Sequence, residues 1–204
     1  MKISVVGLGK LGSPLLAVLA SKGYSVIGVD INEAFVRTIN QGLTPVEEPL
    51  LQELIAAHRA NIQATQDYDA AILNTDATLV IVPTPSKKDG YFSNDYLLQS
   101  MEQIGKALAK KQGYHLVVIK STVMPGSTGG EIKKNLENAS GRTLGIDLGL
   151  CYSPEFIALG NVVKNLLYPD LVLIGESDKK AGDILEKIYV STCDNTPTIR
   201  RMNF

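Results

Sequence analysis

Along the chain, short blocks of consecutive apolar residues rich in Val and Ile alternate with longer stretches in which apolar residues recur every three or four positions. The blocks lack the alternation of a strand with one wet face, which is the pattern of parallel strands covered on both sides, and the intervening stretches have the period of amphipathic helices. This predicts strands over residues 2–6, 25–30, 61–64, 78–82, 115–119, 148–152 and 171–174. Helices are predicted over 11–22, 33–40, 48–59, 68–74, 94–111, 127–137 and 179–190. In the helix from Asn94, the residues Leu97, Leu98, Met101, Ile104, Gly105 and Leu108 form one apolar stripe, a packing face rather than a ligand box. No repeat, low-complexity tract or linker interrupts the alternation. The expected fold is therefore α/β: a Rossmann-like, doubly wound, mainly parallel sheet with helices on both faces, in one domain over residues 1–204. The closing TPTIRRMNF stops without a capping turn or polar tail just where another element is expected, which suggests a fragment; the alternative is an irregular tail.

Composition narrows the partners. The chain has 204 residues, 45% hydrophobic and 20% charged, enough for a sizeable core. With a formal charge of −1 and its Lys and Arg dispersed, neither a nucleic acid nor a membrane surface is expected as a partner, although Lys87-Lys88 could meet a small anion. No stretch approaches the roughly 20 apolar residues that cross a bilayer, and MKISVVGLGK enters a strand pattern rather than a secretion signal, so the expected location is the cytoplasm. Cys151 and Cys193 have no metal-ligand spacing; they read as small buried hydrophobes of a reducing compartment, and no metal is expected.

Candidate chemistry begins where the first strand meets the first helix. VVGLGKLGSP places Gly7, Gly9 and Gly12 in G-x-G-x-x-G register, with Leu8, Lys10 and Leu11 between them. Gly7 permits a tight turn, Gly9 lets a pyrophosphate approach the backbone, and Gly12 lets the helix press on the strand, while the helix N-terminus offers unpaired N–H groups to the phosphates. The second predicted strand ends in Asp30, placed to accept hydrogen bonds from the adenosine ribose hydroxyls and to repel a 2′-phosphate, which favours NAD over NADP. Two later strand exits point to the same crevice: Pro83-Thr84-Pro85, and Ser121-Thr122 before Pro125-Gly126. Hydroxyls there can bond cofactor or substrate, or serve only as turn and cap residues.

The stretch CYSPEFIALG sets a carboxylate, Glu155, just beyond an apolar run. Ser153 and Pro154 suit the N-cap and first position of a helix, so one expectation is that Glu155 merely complements a helix dipole. The other is chemical. A carboxylate beyond a parallel strand with apolar neighbours is partly desolvated, which raises its pKa and suits it to proton transfer near neutrality.

These stretches, taken in order, resemble the nucleotide-sugar 6-dehydrogenases, the UDP-glucose, GDP-mannose and UDP-N-acetylmannosamine dehydrogenase superfamily, in its N-terminal NAD-binding domain. The resemblance is carried by residues 5–17, GLTPVEEPLLQELI at 42–55, VPTPSKKDG at 82–90, KSTVMPGST at 120–128 and YSPEFIALGNVVKNLLYPDLVLIG at 152–175. It implies oxidation of the C6 alcohol of a nucleotide sugar to a carboxylate through an aldehyde, with NAD reduced twice and a family cysteine carrying the sugar as thiohemiacetal and thioester. It further implies that Pro83, Thr84, Ser121 and Thr122 belong to the cofactor site. Thr122 would lie at the nicotinamide and help place a catalytic water. Glu155 would act in acid/base chemistry and, with Phe156 and Ile157, lie along the substrate. Ala158 and Leu159 stand where many relatives carry a basic residue and a second Glu. The family's cysteine and the Lys and Asn of its central helix match nothing here, so the resemblance implies half an active site, in an enzyme that is a homo-oligomer at full length. A β-hydroxyacid dehydrogenase would also explain the glycines but not PEFIALG with PDLVLIG, and a non-catalytic NAD-binding module would bind without turnover.

Overall fold

The computed structural model describes residues 1–204. Its strands are β1 (Lys2–Val6), β2 (Ser25–Val29), β3 (Ile62–Thr65), β4 (Ala77–Val80), β5 (His115–Ile119), β6 (Leu148–Tyr152), β7 (Leu171–Glu176) and β8 (Thr198–Asn203). Its helices are α1 (Gly12–Ser21), α2 (Glu33–Asn40), α3 (Leu51–Ala57), α4 (Tyr68–Ile72), α5 (Asp95–Leu108), α6 (Lys133–Ser140), α7 (Val162–Leu167) and α8 (Lys179–Thr192). All strands join one sheet in the order β3-β2-β1-β4-β5-β6-β7-β8. Pairing is parallel from β3 to β6 and between β7 and β8; β7 runs antiparallel to β6. The central strands β4 and β5 are buried along their whole length, as covering on both faces requires. One core packs α1, α3, α7 and α8 on one face, and a second packs α4, α5 and α6 on the other. The strand order reverses between β1 and β4, and ligands of open parallel sheets bind at such a point, beyond the carboxyl ends of the strands. No helix is long and apolar enough to cross a membrane.

Three expectations change. TPTIRRMNF is not an irregular tail: β8 pairs with β7 along its length, held by the Arg201 guanidinium, which donates to Glu176 at 2.8 Å, Asp183 at 2.6 Å and Glu186 at 2.8 Å. Ser153-Pro154 does not open a helix, because the Ser153 N–H continues the sheet to the Ile119 carbonyl at 2.8 Å and its hydroxyl pairs with Tyr189 at 2.7 Å instead of capping. The helix of this region, α7, starts only at Val162, whose N–H donates to Glu48 Oε1 at 2.7 Å. The helix after Pro125-Gly126 opens with a π-helical turn, Thr128–Ile132, before α6.

Polar residues inside the sheet satisfy one another. His115 Nε2 lies 2.7 Å from the Thr78 hydroxyl, which lies 2.8 Å from that of Ser4, and the Lys111 ammonium is 3.2 Å from His115 Nδ1. Burial, reinforced by the Lys111 and Arg142 charges, pushes the imidazole down to about 3, so it is neutral.

Candidate functional site

The turn between β1 and α1 is held by approaches that only glycine allows. Gly7 has φ +94°, and a Cβ there would lie 2.6 Å from the Ile81 carbonyl oxygen; at Gly12 it would lie 1.7 Å from that of Gly7. At Gly9 nothing lies within 4 Å, so the backbone is open to a ligand. The Leu8 side chain is buried in the core, and its N–H donates to Asp30 Oδ2 at 2.6 Å, while the Asn32 N–H donates to Oδ1 at 2.8 Å. Asp30 therefore braces the glycine turn, and each of its oxygens keeps a lone pair for a further donor such as a ribose hydroxyl. Lys10 is exposed and Leu11 half-buried.

Beside the turn opens a crevice of about 930 Å3, bounded by Gly7, Asp30, Tyr68, Pro83, Tyr96 and Ser100 among others. An acidic floor at the end of β2, an open Gly9 and a cleft of this size fit the adenosine and pyrophosphate parts of NAD. Tyr68, whose hydroxyl lies 3.4 Å from that of Ser100, is raised above the ordinary tyrosine value by burial. The exits of β4 and β5 are stitched together. The Thr84 hydroxyl donates to the Thr122 carbonyl at 2.7 Å and the Ser121 hydroxyl to the Val82 carbonyl at 2.7 Å. Ser121 is buried with its hydrogen committed to the protein, whereas Thr122 is exposed. Pro83 is exposed on the crevice wall.

At the end of β6, Glu155 does not sit among purely apolar neighbours. Its carboxylate forms an ion pair with Lys120, the residue just past β5, whose side chain is 1% exposed against 13% for Glu155. The Lys120 ammonium also donates to the Tyr189 hydroxyl at 2.7 Å, and the Tyr189 ring centre lies 4.9 Å away. Burial alone would lower Lys120; the facing carboxylate, with Tyr189, more than reverses it, so Lys120 is held charged above the ordinary lysine value. Phe156 is exposed, and Ile157 packs against the core. Neither cysteine is poised as a nucleophile: burial pushes up both the Cys151 thiol and the half-buried Cys193 thiol.

Sequence reasoning missed Lys120 and Tyr189 here, and Tyr68, Tyr96 and Ser100 in the crevice. Lys120 left a signal, a cation ending the apolar run LVVI, whereas Tyr96 on α5 reads as an ordinary exposed helix position.

The sequence pattern of the UDP-glucose/GDP-mannose dehydrogenase family, NAD binding domain, matches residues 1–193. GDP-mannose 6-dehydrogenase of Pseudomonas aeruginosa is 36% identical over 98% of this chain and 46% of its own length. UDP-glucose 6-dehydrogenase of Haloferax volcanii is 37% identical over 98% of this chain and 47% of its own length. The crystal structure of a ternary complex of the P. aeruginosa GDP-mannose dehydrogenase superposes with a TM-score of 0.95 at 36% identity, covering 100% of this chain and 46% of that one. The chain thus spans about half the length of the curated relatives it matches. With its glycine turn, its acidic β2 terminus and this match over residues 1–193, the chain belongs to the UDP-glucose/GDP-mannose dehydrogenase family, as its NAD-binding domain.

Proposed function

We propose that the whole protein oxidises the C6 alcohol of a nucleotide sugar, of the UDP-glucose or GDP-mannose type, to the carboxylate, and that this chain supplies the cofactor site and part of the catalytic site. The observation that carries the proposal is a convergence beyond neighbouring parallel strand ends of the glycine turn, Asp30, the Thr84–Thr122 bridge and Glu155. NAD, when bound, accepts the hydride from the alcohol carbon. The open backbone at Gly9 and the start of α1 receive the pyrophosphate, with Leu8, Lys10 and Leu11 shaping the turn between Gly7 and Gly12. Asp30 accepts from the ribose hydroxyls and, being an anion, disfavours a 2′-phosphate. Pro83, Thr84 and Ser121 form the wall at the β4 and β5 exits. Thr122, exposed there, orients the water that attacks the oxidised carbon, and Glu155 takes that water's proton. Phe156 and Ile157 line the sugar side.

Burial holds both thiols of this chain up, which suits neither to a covalent step, and the 204-residue chain alone is expected to bind NAD without turnover. Calorimetric titration of the chain tests the cofactor half. NAD is expected to bind at least about tenfold more tightly than NADP, a difference of about 1.4 kcal/mol, and Asp30→Ala to erase the preference. Equal affinities in the native chain would remove Asp30 from the site. In the whole protein, two NADH per nucleotide sugar consumed is the expected yield; one would stop the reaction at the aldehyde and exclude hydrolysis at Glu155.

A further inference from the structure

The residue just past β5 is an ammonium that solvent barely reaches, and three protein oxygens gather around it. Lys120 meets the Glu155 carboxylate, the Tyr189 hydroxyl at 2.7 Å and the Ser153 carbonyl at 3.5 Å. Tyr189, accepting from Lys120, lies 2.7 Å from the Ser153 hydroxyl, so the cluster closes on itself across β5, the β6 exit and α8. Residues 153–158, by contrast, have no helix or strand of their own. Nothing in that local backbone fixes where the Glu155 side chain points; the ion pair does. The carboxylate is nearly enclosed where it meets Lys120, and Glu155 also lines a hollow of about 100 Å3 with Pro154, Phe156, Ile157 and Tyr168.

A buried ion pair is a poor way merely to anchor a loop, since well-packed apolar side chains of the same volume do that as well or better. Keeping a full charge on each side here makes sense if the charge is used. We infer that Lys120 is a positioning residue for Glu155: held by Tyr189 and Ser153, it sets the direction of the carboxylate at the end of β6. The inference rests on the proposed proton-accepting role of Glu155 and adds what makes that residue competent. In this reading Lys120 acts through Glu155 and touches neither substrate nor cofactor.

The pair is tested first in the 204-residue chain, where no turnover is needed. Lysine side-chain NMR is followed against pH in the native chain and in Glu155→Gln, with NAD titration as the check of folding. The native Lys120 resonance is expected to stay unchanged through the ordinary lysine range. In Glu155→Gln, burial is opposed only by Tyr189, and Lys120 is expected to lose its proton at lower pH than in the native chain. An identical titration in both chains would overturn the inference.

The second test uses steady-state kinetics of the whole protein. Lys120→Met is expected to lower kcat by the same factor as Glu155→Gln, about 10²–10⁴-fold, and Lys120→Arg to recover most of it. KM for NAD and for the nucleotide sugar should stay within about threefold, and the Lys120→Met/Glu155→Gln pair should be no slower than Glu155→Gln alone. Losses that multiply in the double variant would mean that Lys120 acts independently, overturning the inference and leaving Glu155 in its role. Full turnover by Glu155→Gln would overturn both. Should Lys120→Met fail to bind NAD, Tyr189→Phe keeps the volume and removes one acceptor; a lowered kcat with steady KM supports positioning, and an unaltered kcat overturns it.

Discussion

The two ends of β5 bury ionisable side chains to nearly the same depth and treat them in opposite ways. At the amino end His115 is fully buried, ringed by the Thr78 hydroxyl and the Lys111 cation, and its imidazole is pushed down to about 3. At the carboxyl end Lys120 is 3% exposed and is pushed up, because Glu155 faces it. Burial disfavours the charged form of both. The outcome turns on the sign of the nearest charge: a like charge adds to the desolvation of His115, and an opposite charge overcomes that of Lys120. The imidazole at the amino end of β5 is thereby a neutral hydrogen-bonding group. The carboxyl end, where open parallel sheets hold ligands, keeps a buried charge paired.

The comparison is broken most severely by removing one partner of the charged end. Lys120→Met leaves Glu155 enclosed without its counter-ion, and urea denaturation is expected to show a loss of about 3–5 kcal/mol. Removing both charges together, as Lys120→Met/Glu155→Leu, should return most of that loss. A single variant as stable as the native chain would mean that the pair is open to water and that the contrast between the two ends is false.

pH separates the ends next. Between about 6.5 and about 3 an unfolded His115 takes up a proton that the folded one refuses, so stability falls as pH drops through that window, by about 1.4 kcal/mol per unit at the steepest. His115→Gln should flatten this acid limb. For Lys120 the sign is reversed. Its folded value lies above the ordinary one, so its contribution is complete below about pH 10 and is lost only as pH climbs further. Thermal melts of the native chain, His115→Gln and Glu155→Gln across both ranges would separate the two limbs. An acid limb that survives His115→Gln would place the titrating group elsewhere.

The same contrast explains what the sequence made legible. β1, β4, β5 and β6 follow from apolar runs because burial on both faces leaves little other composition for those residues, and the glycine turn with Asp30 is local in sequence, each part near the next. β8 was not legible, since Thr198, Arg200 and Asn203 face solvent on an edge strand and Arg201 serves an ion network instead of a core. Nor was the fate of Ser153-Pro154-Glu155. Local rules make that triplet a helix start, but Lys120 and Tyr189, 35 and 34 residues away from Glu155 in either direction, claim the side chains that would have capped one. A site made of backbone turns is written in a short motif. One made of charges meeting across strands is written only in the fold.

The smallest expected effect tests whether the two ends also differ in the strength of their hydrogen bonds. Tyr189→Phe and Thr78→Val each remove one hydroxyl from a buried partner and leave the volume nearly unchanged. At the carboxyl end the lost bond is to an ammonium, and bonds to charged groups contribute about 1.5–3 kcal/mol. At the amino end the partner is a neutral imidazole, and the loss should lie nearer about 1 kcal/mol, since the Ser4 hydroxyl keeps its bonds to Thr75 and to the Ala77 carbonyl. Denaturant midpoints at pH 7 measure both, and Tyr189→Phe should be the costlier. Its margin should shrink when the comparison is repeated in the Glu155→Gln background, because without the facing carboxylate burial drives Lys120 toward its neutral form and the bond to Tyr189 loses its charge assistance. Equal losses in both backgrounds would mean that Lys120 is charged without help from Glu155, and that the sign of the neighbouring carboxylate does not govern the carboxyl end of β5.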